Sequence, residues 1–210
     1  MTTPKGRGKA RLFENPVLEA LTRTHPAIIM SIYIPLSAVL LYHYHTTVNP
    51  SWAALAGWFL AGMFSWTLAE YLIHRHLFHF PARSPRAKRI VYLLHGVHHE
   101  YPRDKERLIM PPVPSILLAA FFFFMFRALM GARVFAFLPG FIIGYLLYAS
   151  MHYAMHLFRP PARLAWLWRL HHLHHYKYPD LIFGVSSPLW DAVFGTLPRK
   201  EEYLPRRKRA

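Results

Sequence analysis

The sequence predicts an all-α integral membrane protein with four transmembrane helices. Three observations carry that prediction. Long apolar runs recur through 210 residues of which 54% are hydrophobic, the basic residues are unevenly distributed, and histidines cluster near the ends of the runs. Cysteine is absent, which excludes disulfides, iron–sulfur clusters and thiolate metal sites.

Residues 1–26 carry Lys5, Arg7, Lys9, Arg11 and Arg23 but no apolar run of signal-peptide length, and read as a basic cytoplasmic segment. Residues 27–42 are mostly apolar and predict a first membrane helix, short and kinked at Pro35. The stretch 43–50 has no Lys or Arg and ends in Asn49-Pro50, a turn signal. The run 52–73 is long enough to span a bilayer at about 1.5 Å per residue. Residues 75–110 are polar and hold eight Lys and Arg. Pro111-Pro112-Val113-Pro114 should stop any helix before the third run, 115–130. Gly131-Ala132-Arg133 predicts a tight reversal, and the fourth run, 134–151, predicts a helix kinked at Pro139-Gly140 that continues into His152 and His156. The phenylalanines at 121–124 read as lipid-facing or packing surface, not as a cofactor site.

The net charge of +15 suits either nucleic acid or an anionic membrane face, and the charge distribution selects the membrane. With the N-terminus taken as cytoplasmic, the far-side turns hold only Arg127 and Arg133, and 23 of the 25 basic residues fall on the near side. Both termini are then cytoplasmic, residues 27–200 form one membrane domain, and 201–210 form a basic tail. No nucleic-acid partner is expected. The same topology brings every histidine cluster to the cytoplasmic face.

The clusters are His74 and His79; His95, His98 and His99; His152 and His156; and His171, His174 and His175. Imidazole is the commonest protein metal ligand, and ten imidazoles without a thiolate suit iron, zinc or copper better than magnesium or calcium. One ion cannot use ten ligands, so two metals with about four to five each are expected. Residues three and four apart share a helix face, so each triple can aim its imidazoles at one point, and His152 and His156 can clamp one ion. His74 and His79 lie about 140° apart on an ideal helix. They either serve different metals or straddle a helix end. His25, His43, His45, His76 and His172 read as ordinary polar or surface residues. A ligating histidine usually gives its other N–H to a carboxylate or carbonyl. Glu70, one turn before His74, and Asp104 are candidates for that role, and read equally as helix caps or salt-bridge partners. For Glu100, Asp180 and Asp191 the capping or ion-pair reading is favoured.

Three strings carry a resemblance. They are Glu70-Tyr71-Leu72-Ile73-His74-Arg75 continuing to Phe78-His79, His95-Gly96-Val97-His98-His99-Glu100-Tyr101-Pro102-Arg103-Asp104 running on through Arg107-Leu108 to Pro111-Pro112, and His174-His175-Tyr176-Lys177 followed by Phe183-Gly184-Val185-Ser186-Ser187. With the His152-x3-His156 spacing, these resemble the fatty acid hydroxylase and sterol desaturase superfamily of membrane di-metal oxygenases, and within it the membrane domain of fatty acid 2-hydroxylases, over about residues 60–197. The resemblance implies four membrane helices under a cytosolic helical cap that holds a histidine-rich di-metal site. It implies two iron ions, with zinc able to occupy the site in purified protein, O2 as co-substrate, and the ten clustered histidines as ligands. An acyl chain of a fatty acid or sphingolipid would enter between the membrane helices and be hydroxylated at the 2-position. The eukaryotic members carry a fused cytochrome b5 domain that 26 residues cannot hold, so a separate donor such as cytochrome b5, a ferredoxin or a reductase is expected, and a bacterial inner membrane rather than the endoplasmic reticulum.

The chemistry agrees with that implication. No side chain is basic enough to remove hydrogen from an unactivated carbon, so a redox metal must activate dioxygen. Two alternatives share the histidines. A sterol- or carotenoid-type hydroxylase or desaturase would differ in its channel. A membrane metal or haem carrier should line its path with polar residues, yet apart from Ser65, Thr67 and Glu70 the helices are apolar. A structural protein that had lost its chemistry would have no need of all ten histidines.

Overall fold

The computed structural model describes Lys5 and residues 8–204. Arg7 of the expected N-terminal segment, and residues 205–210 of the expected tail, lie outside the described residues. Among the described residues there is no β-strand. The helices are α1 (Pro16–Leu21), α2 (Pro26–His43), α3 (Trp52–Leu72), α4 (Pro85–Val91), α5 (Val97–Glu100), α6 (Pro112–Met130), α7 (Val134–Leu157), α8 (Ala165–Tyr176), α9 (Leu189–Val193) and α10 (Lys200–Tyr203). Wider π-turns follow α2, α3 and α4 at Tyr44–Val48, Ile73–Phe78 and Tyr92–Gly96. Among the described residues three stretches are long and apolar enough to cross a membrane: Pro26–Val48, Trp52–Phe78 and Pro112–Leu157. The third comprises α6 and α7, joined by the short 3-10 turn Gly131–Arg133.

Helix starts follow their local chemistry. Asn15 accepts hydrogen bonds from the backbone N–H groups of Val17 and Leu18, with Pro16 at the first helical position, and Ser84 accepts from Ala87 N–H ahead of Pro85. The proline run at 111–114 begins α6 and does not block it, because first-turn N–H groups have no partner inside the helix and their loss costs nothing there. Helix α2 runs on through Pro35 and α7 through Pro139.

Residues group into two compact units. One comprises Arg11–Ala69 and Ile109–Ser150. Its helices meet closely: a Cβ on Gly62 would lie 2.0 Å from the Phe137 carbonyl oxygen, and one on Gly140 only 1.8 Å from that of Phe59. Small residues let the backbones of α3 and α7 touch, as in membrane helix pairs generally. Below this contact Trp66 takes Phe141 and Tyr145 at ring separations of 5.2 Å each. Phe121 and Phe124 are 58% and 69% exposed, while Phe122 stacks on Phe126 and meets Phe141. The phenylalanine run therefore divides between an outward apolar face and packing.

The other unit comprises Glu70–Leu108 with the described residues before Arg11 and after Ser150. It holds α4, α5, α8, α9 and α10, with a small apolar core of Leu170, Ile182 and Tyr203. The N-terminal strap ties down the loop after α5: Lys9 pairs with Glu106 at 3.0 Å, and the Arg107 guanidinium donates to the Ala10 carbonyl at 3.0 Å.

Gly140→Ala should lower stability by about 1–3 kcal/mol through overpacking, read as a lower melting temperature in detergent. Gly57→Ala, with nothing within 4 Å, should not.

Candidate metal centre

All ten clustered histidines lie in this second unit, in two groups of five. His74, His79, His95, His99 and His174 form one, and His98, His152, His156, His171 and His175 the other; within each group, one nitrogen per residue lies within 4.8 Å of all the others. Nine of the ten are buried and His79 is half-buried.

Local backbone geometry explains the sorting. The i,i+4 pairs His95/His99, His152/His156 and His171/His175 each stay together. The i+3 member of each triple, His98 or His174, turns to the opposite group, because it departs from its i+4 neighbour by about 100° around the helix. The face that the spacing predicts is thus resolved into two interlocked sets, each helix lending one ring to the other. His74 and His79 do straddle a helix end, and they serve the same group. The π-turn between them bonds His79 N–H to the His74 carbonyl at 3.1 Å, which places residues five apart one above the other. The groups adjoin where His99 stacks on His175 with ring centroids 4.2 Å apart.

Within the groups the Nε2 atoms converge. His95 Nε2 lies 3.1 Å from that of His74 and 3.0 Å from that of His99. In the other group the His98–His175, His152–His156 and His156–His171 Nε2 separations are 3.1, 3.3 and 2.7 Å. Two nitrogens each about 2.1 Å from a shared ion and at right angles are about 3.0 Å apart, so the donor sets fit metal ions.

Three rings are held in a fixed tautomer. A carbonyl oxygen only accepts, so Nδ1–H of His74 donates to Phe183 at 2.6 Å, that of His174 to Leu181 at 2.7 Å, and that of His152 to Leu108 at 3.0 Å. Each neutral ring then presents its Nε2 lone pair to its group.

Glu70 and Asp104 sit behind these carbonyls. Glu70 Oε1 accepts the N–H groups of Val185 and Ser186 at 2.6 and 2.8 Å, and Oε2 accepts the Ser186 hydroxyl. It fixes the loop that carries the Phe183 carbonyl. Asp104 accepts Glu106 N–H at 3.3 Å and faces Arg107 at 3.5 Å, within the loop that ends at Leu108.

Asp191, read from sequence as a cap or ion-pair residue, is fully buried and grips the Phe183 loop from its other side. It accepts Phe183 N–H, Gly184 N–H and the Thr196 hydroxyl at 2.8, 2.7 and 2.7 Å. Burial pushes its carboxyl upward against the pull of those three donors. A Cβ on Gly184 would meet Ser187 O at 2.2 Å, so the loop admits only glycine there. No spacing rule marks Asp191; its one signal is a lone acid in an apolar stretch. Glu100 pairs with Lys5 and accepts the Tyr92 hydroxyl at 2.8 Å, and Asp180 is exposed. Of the histidines set aside, His25 caps α2, His45 stacks on Trp52, and His76 is exposed.

Burial first, and then repulsion among neighbouring imidazolium forms, holds His79, His95, His98, His171, His174 and His175 well below the ordinary histidine range. His99 is pushed down to about 3, chiefly by burial. These rings are neutral at physiological pH, the form a metal requires.

The family model for fatty acid hydroxylases matches residues 59–196. The chain belongs to the fatty acid hydroxylase family. Among its relatives, the fatty acid 2-hydroxylase of Rattus norvegicus is 35% identical over 91% of this chain and 57% of its own length. The ceramide very long chain fatty acid hydroxylase SCS7 of Saccharomyces cerevisiae is 38% identical over 91% and 50%. The dihydroceramide fatty acyl 2-hydroxylase FAH2 of Arabidopsis thaliana is 36% identical over 90% and 80%. A solved structure described as full-length scs7p, with only the hydroxylase domain visible, superposes with a TM-score of 0.81 at 36% identity, covering 93% of this chain and 72% of that one. The chain spans about half the length of the rat and yeast relatives. The hydroxylase family uses metal, and the two histidine groups are compatible with a di-metal site.

Two outcomes follow. A histidine kept neutral by the fold binds fewer protons than the same residue unfolded, so its contribution to stability is complete above about 6.5 and declines as pH falls; for His99 the decline continues to about 3. Melting temperature and bound-metal content, measured together from pH 7.5 to 4.5, should fall together. Asp191→Ala strands three buried donors and should cost about 3 kcal/mol or more, seen in thermal unfolding.

Proposed function

We propose that this hydroxylase-family chain is a membrane di-iron monooxygenase that hydroxylates an acyl chain at the 2-position. The carrying observation is the pair of five-histidine groups lying inside the stretch that matches the family. In this reading His74, His79, His95, His99 and His174 hold one iron, and His98, His152, His156, His171 and His175 the other. Zinc can replace iron in isolated protein. Bound iron would supply dioxygen activation, and with it the oxidising power that a C–H bond next to a carbonyl requires.

The chain's own residues keep that chemistry ordered. Burial keeps bulk water from the imidazoles, and the Phe183, Leu181 and Leu108 carbonyls fix three rings with Nε2 inward. Glu70 and Asp191 hold the Phe183 loop in place, acting through backbone and not on substrate. The names of the rat, yeast and plant relatives, all acyl hydroxylases, favour an acyl substrate over a sterol or carotenoid. Electrons come from a donor outside the hydroxylase domain.

Four crossings are part of the proposal, with α6 and α7 each counted as one. The charge distribution supports both termini on the cytoplasmic side, where the histidine-bearing unit forms the cap. Residues 27–200 would be the hydroxylase domain between a basic N-terminal segment, 1–26, and a basic tail, 201–210. The relatives described above are eukaryotic and lend no support to a bacterial membrane.

The test is mass spectrometry of total lipids from a ceramide-producing host expressing the chain or its His98→Ala variant. 2-Hydroxyacyl lipids should accumulate with the unaltered chain and fall to background with the variant. Their absence from cells holding inserted, iron-loaded protein would rule the proposal out.

A further inference from the structure

Beside the second histidine group the unit has an open cavity of about 640 Å³. Its wall carries Arg103, Arg159, Arg169 and His172, and no acidic residue lines it. Met155, Phe158 and Trp168 supply an apolar side, and the remaining wall includes His156, a member of the histidine group. The wall is braced: Trp168 Nε1–H donates to the Phe158 carbonyl at 3.3 Å, and His172 Nδ1–H to the Trp168 carbonyl at 2.6 Å.

The three guanidinium groups are set apart by lining one cavity. Lys5, Lys9 and Lys177 each have a carboxylate partner. Arg103, Arg159 and Arg169 have no hydrogen-bond or ion-pair partner among the described residues. The side chains of Arg83, Arg86, Lys88, Lys105 and Arg163 of the same unit also have none among the described residues, but do not line the cavity. All three arginines of the cavity are exposed, so solvent screens their mutual repulsion; an anion seated between them would nevertheless meet three positive charges at once. Arginine is the side chain best shaped to hold one, since its planar fork grips carboxylate or phosphate oxygens in pairs.

We infer that this cavity receives the negatively charged head group of the acyl substrate, so that this enzyme acts on anionic acyl lipids in preference to neutral ones. The inference rests on the 2-hydroxylation proposed above. The 2-carbon is one bond, about 1.5 Å, from the carboxyl carbon, so a carboxylate held in a cavity walled by His156 keeps the reacting carbon close to that ligand group. A glycerophospholipid phosphate lies only a few bonds further from the acyl 2-carbon, and the cavity volume admits it. The apolar side takes the first methylenes. A ceramide head group has hydroxyls and an amide but no charge to set against three arginines.

The experiment is equilibrium binding of radiolabelled palmitate, dipalmitoyl phosphatidylglycerol and C16 ceramide to the full, metal-loaded chain in micelles of an uncharged detergent. It compares the unaltered protein with Arg159→Gln/Arg169→Gln and with Lys88→Gln, a basic residue of α4 outside the cavity. Unchanged metal content and melting temperature certify the fold of each variant, and Arg159→Lys/Arg169→Lys serves if the glutamine pair fails that check. The unaltered chain should bind at least one anionic lipid about tenfold or more tighter than ceramide, and the paired substitution should remove about tenfold of that affinity. Lys88→Gln should change nothing. Palmitate bound above phosphatidylglycerol identifies a carboxylate ligand, and the reverse order a phosphate. Equal affinity for ceramide, or an equal loss from Lys88→Gln, overturns the inference and attributes the arginines to general attraction for an anionic surface. Accumulation of 2-hydroxyceramide without anion selectivity would do the same while upholding the hydroxylase. Selective binding of an anionic lipid that iron-loaded protein with an electron donor never hydroxylates would overturn both.

Discussion

Ten imidazole rings, nine of them buried, that turn one nitrogen each into two close groups are the constraint on which the rest of this unit depends. A buried polar atom without a partner costs about 1–3 kcal/mol, and within each group five acceptor nitrogens converge to a few ångströms. Hydrogen bonds among the rings can satisfy some of them. They cannot satisfy His95 Nε2 together with both nitrogens that face it, because a neutral ring whose Nδ1 donates outward, as in His74, has no second proton to offer. An arrangement of this kind is unfavourable for a bare polypeptide and favourable for one that binds cations, so folding and metal affinity are coupled through the same atoms.

Holding the rings against that cost falls to backbone whose own position is unusual. Ile182 has φ +62°, a left-handed conformation that a β-branched residue adopts only at a cost of about 1–3 kcal/mol. It lies between Leu181 and Phe183, whose carbonyls accept from His174 and His74. Several interactions outweigh the strain. The Ile182 side chain is 1% exposed in the core with Leu170 and Tyr203, its N–H donates to Thr196 O at 3.0 Å, and Asp191 and Glu70 take the next four N–H groups between them. The order of support runs from buried carboxylate to loop N–H, from loop carbonyl to Nδ1–H, and from Nε2 into the group.

Much of this was legible in the sequence. Apolar runs located the long helices to within a few residues, and the His-x-x-His-His spacings named the residues that the fold gathers. What escaped depends on departures from the ideal α-helix or on contacts distant in sequence. A period of 3.6 separates His74 from His79, and only the π-turn unites them. The triples look like single ligand faces until a second helix is present to receive His98 and His174. Asp104 pairs with Arg107, one of the readings its sequence allows; Glu70 reads from sequence as a direct partner, a cap or an ion-pair residue, and support delivered through a loop 115 residues away, as from Glu70 to Val185, leaves no local pattern. The break expected at 111–114 is present, but α6 starts three residues before Ser115, because position within the first turn, not proline content, decides whether a helix tolerates prolines.

The donor sets also bear on charge. Neither group includes an aspartate or glutamate, so a cation bound there meets neutral ligands and keeps its full charge in surroundings of low polarity, where Coulomb terms are several times larger than in water. Carboxylates close to this unit are already engaged: Glu100 by Lys5, Asp191 by three donors, Glu70 by the loop it fixes. A cation bound there and the three arginines, which line the same cavity as His156 and have no ionic partner among the described residues, would act in the same direction. Both would favour an anion in that cavity, and both would disfavour a neutral head group that must give up its water without an ionic partner in return. Specificity for charge would thus arise from what the centre lacks, a carboxylate ligand, as much as from the arginines that face it.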